Sequence, residues 1–582
     1  MSTQETGGGL TKWQIAALIG VPVAVGCVLG AFYYWKTSEN AVEDQEDTEN
    51  DVTSKQSDAS ANEAPDSEDV SEQKQLSPAE QAQAVKLKGN KYFKGQKYDQ
   101  AIKCYTEAIS LCPEENKTDL AMYYQNRAAA YEQQKNYEQV LADASKAIEF
   151  NTKYSKAFMR RARAYEQLNR KAECLQDLTA VCMIEGFNNP NWMMQADRVL
   201  KEIGKEKAQE YCKRRRTALP SPTYIKAYLE SFRHDDTLEV NSTEDVPEDS
   251  PFLEAVKQMK KKKYENIVDL CTQQIETGPG PLYLRAFALR GTMYTLISNI
   301  DEAIQDLTQV IDAESLEDLT KLKVNCLIKR GSMQLQAENV QECVKDFDKA
   351  IELDPDNSDI YHHRGQINFL SERLTQAKED FEKCISLNDT FIPARIQLAY
   401  CIYKSAALQQ SPILAHGAVE MLQKTVENYP DSADAHSLFA QVLQDMQQFA
   451  KAEEHFDRAI KLEPYNPVHL VYKGMLMLQS RQDVEKAVEL VNEALEIDEK
   501  CDFAYETLAT LEVQRGNLDR AIELFNKAID LVRTETELAQ TFSLREAAKA
   551  QKYVTETLGL TPPTVPFMSY VITFGPKCNN GS

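Results

Sequence analysis

Leu87–Pro113 reads LKGNKYFKGQKYDQAIKCYTEAISLCP, and the placing of its small and aromatic residues decides the fold. Counted in a unit that starts at Ala82, Gly89, Tyr92, Tyr98, Ala101, Tyr105, Ala108 and Pro113 fall at positions 8, 11, 17, 20, 24, 27 and 32. The marks return 39 residues on, after a longer loop, at Ala128, Tyr131, Tyr137, Ala144 and Ala147. They recur at Gly331, Phe347, Ala350 and Pro355, then at Gly365, Ala377 and Phe381. Further units carry Ala440, Phe449, Ala452, Phe456, Ala459 and Pro464, and finally Leu518, Ala521, Phe525 and Ala528. A period of about 34 residues with these marks describes a pair of antiparallel helices, A and B. Small residues at 8 and 20 let the two helices approach, and the proline near 32 stops helix B. Aromatics at 11 and 24 are expected to fill the groove between neighbouring units. One pair cannot bury its own apolar stripe, so units must stack into a superhelix whose concave face is lined by A helices.

This pattern is the tetratricopeptide signature, and the fold class is all-α: a tetratricopeptide-repeat superhelix in two domains. Three repeats make an N-terminal domain at 79–190, and connecting helices with an acidic linker follow at 191–250. A C-terminal repeat domain spans 251–563, with one degenerate unit around Ala399 to Ser432, and a divergent tail occupies 564–582.

Ahead of the array, residues 1–12 form a short tail and Trp13–Trp35 an uncharged run, WQIAALIGVPVAVGCVLGAFYYW. As a helix its 23 residues would span roughly 34 Å, enough to cross a hydrocarbon core. Trp13 at one end and Phe32 to Trp35 at the other resemble an interfacial aromatic belt, which sets the run apart from a cleavable signal peptide. Residues 36–78 are an acidic, aromatic-free stretch that reads as a disordered linker. The flanking Lys12 and Lys36 balance, so charge alone leaves the orientation open. Sequons at Asn116, Asn241, Asn388 and Asn580 would permit a lumenal bulk. Thirteen Cys without CxxC or zinc spacing favour a cytosolic one.

The 582 residues carry 66 basic and 90 acidic side chains, a net charge of −24, which argues against nucleic acid as a partner. No P-loop, GxSxG, HExxH or dinucleotide fingerprint in a strand context appears, so no enzyme activity, cofactor or metal is expected.

One constellation stands out at inward A-helix positions. Lys86 and Asn90 lie one turn apart in the first unit, Asn126 in the second, and Lys156 and Arg160 one turn apart in the third. Asn126 and Arg160, 34 residues apart, are successive rungs of one ladder. Taken singly, each reads as a polar residue on a wet helix face. As a set with no acid among them, they suit a short extended peptide ending in carboxylates.

LKGNKYFKGQKYDQAIKCYTEAISLCP, YYQNRAAAYEQ and YSKAFMRRARAYEQL resemble the dicarboxylate-clamp repeats of co-chaperones. With the N-terminal anchor, the acidic tether, TAVCMIEGF, IKRGSM, YHHRGQ and CDFAYETLATLEVQRGN, residues 10 to 563 resemble the large tetratricopeptide receptor subunits of the mitochondrial outer-membrane protein translocase. That resemblance implies a clamp of Lys86, Asn90, Asn126, Lys156 and Arg160 for the Glu-Glu-Val-Asp tails of cytosolic seventy- and ninety-kilodalton heat-shock chaperones. It implies a C-terminal groove for hydrophobic preproteins such as carriers, contact with other translocase subunits, and a cytosolic bulk anchored in the outer membrane with the N-terminus in the intermembrane space. The groove has no motif as sharp as the clamp. Its inward A-helix candidates are Lys329, His362, His363, Gln366, Phe503 and Glu506, and the adjacent histidines point about 100° apart, which is no metal site. A membrane-anchored co-chaperone or scaffold of the endoplasmic reticulum is the alternative.

Overall fold

The computed structural model describes residues 77–560, apart from 188, 216–217, 234, 240–246, 248 and 315–317. The expected span 13–35, the tether up to residue 76 and the tail 564–582 lie outside the described residues. Within them the chain forms 25 helices and no strand. None of these helices is long and apolar enough to cross a membrane.

Packing divides the described residues into two units, one holding 77–200 together with 550–560, the other Lys201–Lys549. The first contains three hairpins: α1 (Pro78–Lys94) with α2 (Tyr98–Leu111), α3 (Lys117–Gln133) with α4 (Tyr137–Phe150), and α5 (Ser155–Gln167) with α6 (Lys171–Ile184). A capping box starts the array: Ser77 and Glu80 satisfy each other's backbone N–H groups, and Pro78 supplies a first-turn φ. Ala147, Phe158, Val181, Val554 and Leu560 close the apolar face of the third hairpin. Helix α7 (Pro190–Cys212) follows.

The second unit contains α8 (Pro222–Glu230) and eight hairpins. These pair α9 (Pro251–Lys260) with α10 (Ile267–Glu276), α11 (Tyr283–Leu296) with α12 (Ile300–Ile311), and α13 (Thr320–Gln336) with α14 (Val340–Leu353). Next come α15 (Ser358–Leu370) with α16 (Leu374–Leu387), and α17 (Ile392–Leu408) with α18 (Pro412–Asn428). The last three are α19 (Ala433–Asp445) with α20 (Phe449–Leu462), α21 (Pro467–Arg481) with α22 (Val484–Ile497), and α23 (Asp502–Gln514) with α24 (Leu518–Leu531). Helix α25 (Glu535–Leu558) ends the described chain.

The close approach within a hairpin has a measurable cause. A Cβ added at Gly89 would meet the Tyr105 ring at 2.7 Å, and one at Gly365 the Phe381 ring at 2.8 Å. The position-24 aromatic therefore lies over position 8 of its own unit. It also reaches the next unit, as expected: Tyr105 packs in one core with Ala130, and Phe456 stacks on Tyr472 with centroids 6.2 Å apart.

A polar ladder joins the units as well. Arg127, Arg161, Arg290, Arg330 and Arg364 each make a forked pair with an aspartate 16 residues on: Asp143, Asp177, Asp306, Asp346 and Asp380. In four of them the third guanidinium nitrogen donates to a hydroxyl on the preceding B helix, Thr106, Ser145, Thr272 or Thr308. One planar, five-donor side chain thus ties three helices, which lysine could not do. Burial pushes the Asp177 carboxyl upward even with Arg161 bonded to it.

The A–B turns repeat one conformation. Gln96, Lys135, Asn169, Ser298, Glu338, Glu372, Gln410, Gln447 and Gln482 all have φ between 50 and 61°. The turn needs a left-handed residue, and only the last hairpin uses glycine for it, Gly516.

Candidate functional site

All five clamp candidates of the first unit sit on A helices: Lys86 and Asn90 on α1, Asn126 on α3, and Lys156 and Arg160 on α5. Neighbouring A helices touch, through Tyr123 and Gln83 between α3 and α1, and through Arg160 and the Gln125 carbonyl between α5 and α3. Lys86 is only 7% exposed, Lys156 is exposed, and Asn90, Asn126 and Arg160 are half-buried. Among the described residues neither lysine has a carboxylate partner. The Tyr105 phenol donates to Asn90 Oδ1 at 2.8 Å, which fixes that amide and leaves its N–H pair for another acceptor. Burial holds the Tyr105 hydroxyl protonated, with its pKa pushed up to about 12.

Arg160 departs from the expectation of a clamp without acids. Its Nε donates to Glu132 Oε2 at 2.7 Å, and Nη1 reaches the Gln125 carbonyl at 3.4 Å. Glu132 also lies 4.0 Å from Arg163. The guanidinium is thus held before any ligand arrives, with one edge already used. Glu132 lies on α3 one repeat away from Arg160, so no count along a single helix face would have found it.

The groove candidates in the second unit are placed differently from one another. Lys329, His362, His363 and Gln366 are each 1% exposed. The chain just after α8 covers them: Asp235 meets Lys329 Nζ at 3.0 Å, and Thr292 accepts from the same ammonium at 2.9 Å. The Phe232 ring stacks on His363 with centroids 4.3 Å apart and lies 4.9 Å from Lys329 Nζ. His362 bonds to Gln366 one turn away at 3.1 Å, and burial drives its pKa well below the usual imidazole range. Phe503 is half-buried against Tyr472, and Glu506 is buried, accepting from the Thr541 hydroxyl of α25. A residue that no motif marked lies on α17: burial, against the opposing charge of Asp445 on α19, lowers Lys404 to about 8.

Stacked helical hairpins with polar A-helix faces define a tetratricopeptide-repeat protein, and models of the tetratricopeptide repeat match residues 82–115, 324–357, 358–391 and 437–502. The mitochondrial import receptor subunit TOM70 of Homo sapiens is 42% identical over 580 residues, covering 96% of this chain and 95% of that protein. The subunit of the same name from Saccharomyces cerevisiae is 27% identical over 520 residues, covering 81% of this chain. The crystal structure of the yeast Tom70 aligns with a TM-score of 0.49 at 26% identity, covering 82% of this chain and 98% of that one. The chain belongs to the TOM70 family of mitochondrial import receptor subunits.

Proposed function

We propose that this chain is an import receptor of the mitochondrial outer membrane, anchored through residues 13–35 with its N-terminus in the intermembrane space and its bulk in the cytosol. Lys86, Asn90, Asn126, Lys156 and Arg160 dock the acidic C-terminal tails of seventy- and ninety-kilodalton heat-shock chaperones. The second repeat domain, 251–563, receives hydrophobic preproteins such as carriers and passes them to other translocase subunits. No cofactor, metal or catalytic step is required.

The observation that carries the docking half is the set of cationic and amide groups on successive A helices. Arg160 is oriented by Glu132 and Gln125, and among the described residues the two lysines have no carboxylate partner. Oriented cations bind carboxylates with charge-assisted bonds at little further ordering cost. The test is crosslinking during import of a carrier precursor, with and without a competing Glu-Glu-Val-Asp peptide. The precursor should crosslink to the second repeat domain, and the peptide should suppress chaperone-dependent delivery. Delivery unchanged at saturating peptide refutes the docking role.

A further inference from the structure

The cover over α11, α13 and α15 is made as a ligand's contacts are made. The Arg233 N–H donates to the Asp359 carboxylate at 2.7 Å, and Arg285 donates to the Asp236 carbonyl. Asp235 pairs with Lys329, and Phe232 fits between Lys329 and His363. A helices supply Asp359, Arg285, Lys329 and His363, and Phe391, just ahead of α17, lies under the Arg233 guanidinium at 5.2 Å. The covering residues belong to no repeat unit. The fit also leaves groove capacity unused: Asn325 Oδ1, His362 Nδ1 and Gln366 Oε1 are buried without a hydrogen bond. Buried polar atoms are nearly always paired, so these three mark a surface built to bond more than the resident chain offers. Lys329, with its side chain wholly buried, sets a condition on any replacement. A displacing group must bring a carboxylate, because an unpaired buried ammonium is strongly disfavoured.

We infer that the stretch carrying Tyr228, Phe232 and Asp235 is a resident ligand of this groove. It is displaced by an extended peptide that presents an aromatic side chain and, three residues on, a carboxylate. The identity of that peptide as part of a preprotein rests on the proposed import function; the resident occupancy does not.

Two measurements on the full chain test it. The first follows a fluorescein-labelled peptide copying residues 222–239 by anisotropy. Phe232→Ala should bind it about tenfold tighter than wild type, because the competent fraction of the groove rises as the resident segment loosens. A copy with both the phenylalanine and its partner aspartate replaced by alanine should bind neither protein. Failure of the unaltered copy to bind Phe232→Ala overturns the inference. The second needs no variant: by hydrogen exchange in wild type, the Arg233 amide should exchange through local opening about a hundredfold faster than amides within α13 and α15. Equal protection makes the segment a fixed part of the core and overturns the inference. A carrier-derived peptide that fails to compete with a bound copy leaves the resident ligand standing and removes the preprotein reading of this groove.

Discussion

The Arg160–Glu132 pair makes the sharpest prediction about docking. Replacing Arg160 with alanine removes a charged donor from a carboxylate site, which should cost about 2 kcal/mol, or roughly thirtyfold in affinity. Glu132→Gln should act in the opposite direction. A tail carboxylate on the free edge of the guanidinium would lie about 6 Å from the Glu132 carboxylate; an effective dielectric near 60 gives about 1 kcal/mol of repulsion. Because the two side chains are only 18% and 19% exposed, the effective dielectric is no higher than this and the repulsion is at least that large. Removing the charge should tighten binding at least about fivefold. The Gln125 carbonyl, 3.4 Å from Arg160 Nη1, and the neutral glutamine keep the guanidinium aimed. The assay is fluorescence anisotropy with a labelled peptide ending in Glu-Glu-Val-Asp, at low and high salt. Both effects should shrink as salt rises. Equal affinity of Arg160→Ala and wild type refutes the clamp. A loss with Glu132→Gln as large as that with Arg160→Ala refutes the claim that Glu132 competes with the tail.

Other expectations concern the scaffold. Arg161→Met leaves Asp177 buried beside no cation and should destabilise the first domain by about 3–5 kcal/mol in chemical denaturation. Arg161→Met with Asp177→Leu should recover most of that loss, so an equally unstable double variant would contradict the ladder's energetics. Glu338, exposed with φ of 61°, should gain about 0.5–1 kcal/mol on replacement by glycine, read as a raised Tm. A lowered Tm would mean that its side chain contributes more than its backbone costs. Burial, and secondarily Glu463, raise the Asp434 carboxyl from 3.8 to about 6 while His469 opposes them. Its penalty to the folded state is absent below about pH 3.8, grows up to about pH 6 and is constant above. Asp434→Asn should therefore exceed wild type in stability by up to about 3 kcal/mol at pH 8 and nearly match it at pH 3.8. A gap independent of pH would show that the carboxylate is not strained.

The repeat was legible because its marks depend on local geometry. A glycine that faces an aromatic ring 16 residues on, as Gly89 faces Tyr105, leaves a spacing that the one-dimensional chain preserves. The forked Arg–Asp pairs were legible for the same reason, as a second 16-residue interval from Arg127 to Asp143 and from Arg364 to Asp380. They were missed because single charged residues on amphipathic helices look solvated. The clamp candidates Asn126 and Arg160 were visible as rungs of the 34-residue period. Glu132 was not, because it reaches Arg160 from another repeat and no interval announces a side chain's direction.

The sequence by itself therefore determined the helical repeat and placed polar residues on its A helices, since stacking turns periodicity into position. Only the tertiary structure decided what those positions do. It set Glu132 against Arg160, and it laid Phe232 and Asp235, from a stretch without repeat marks, over Lys329 and His363. Contacts between residues about 100 positions apart follow from where a superhelix brings its concave wall, which no local spacing encodes.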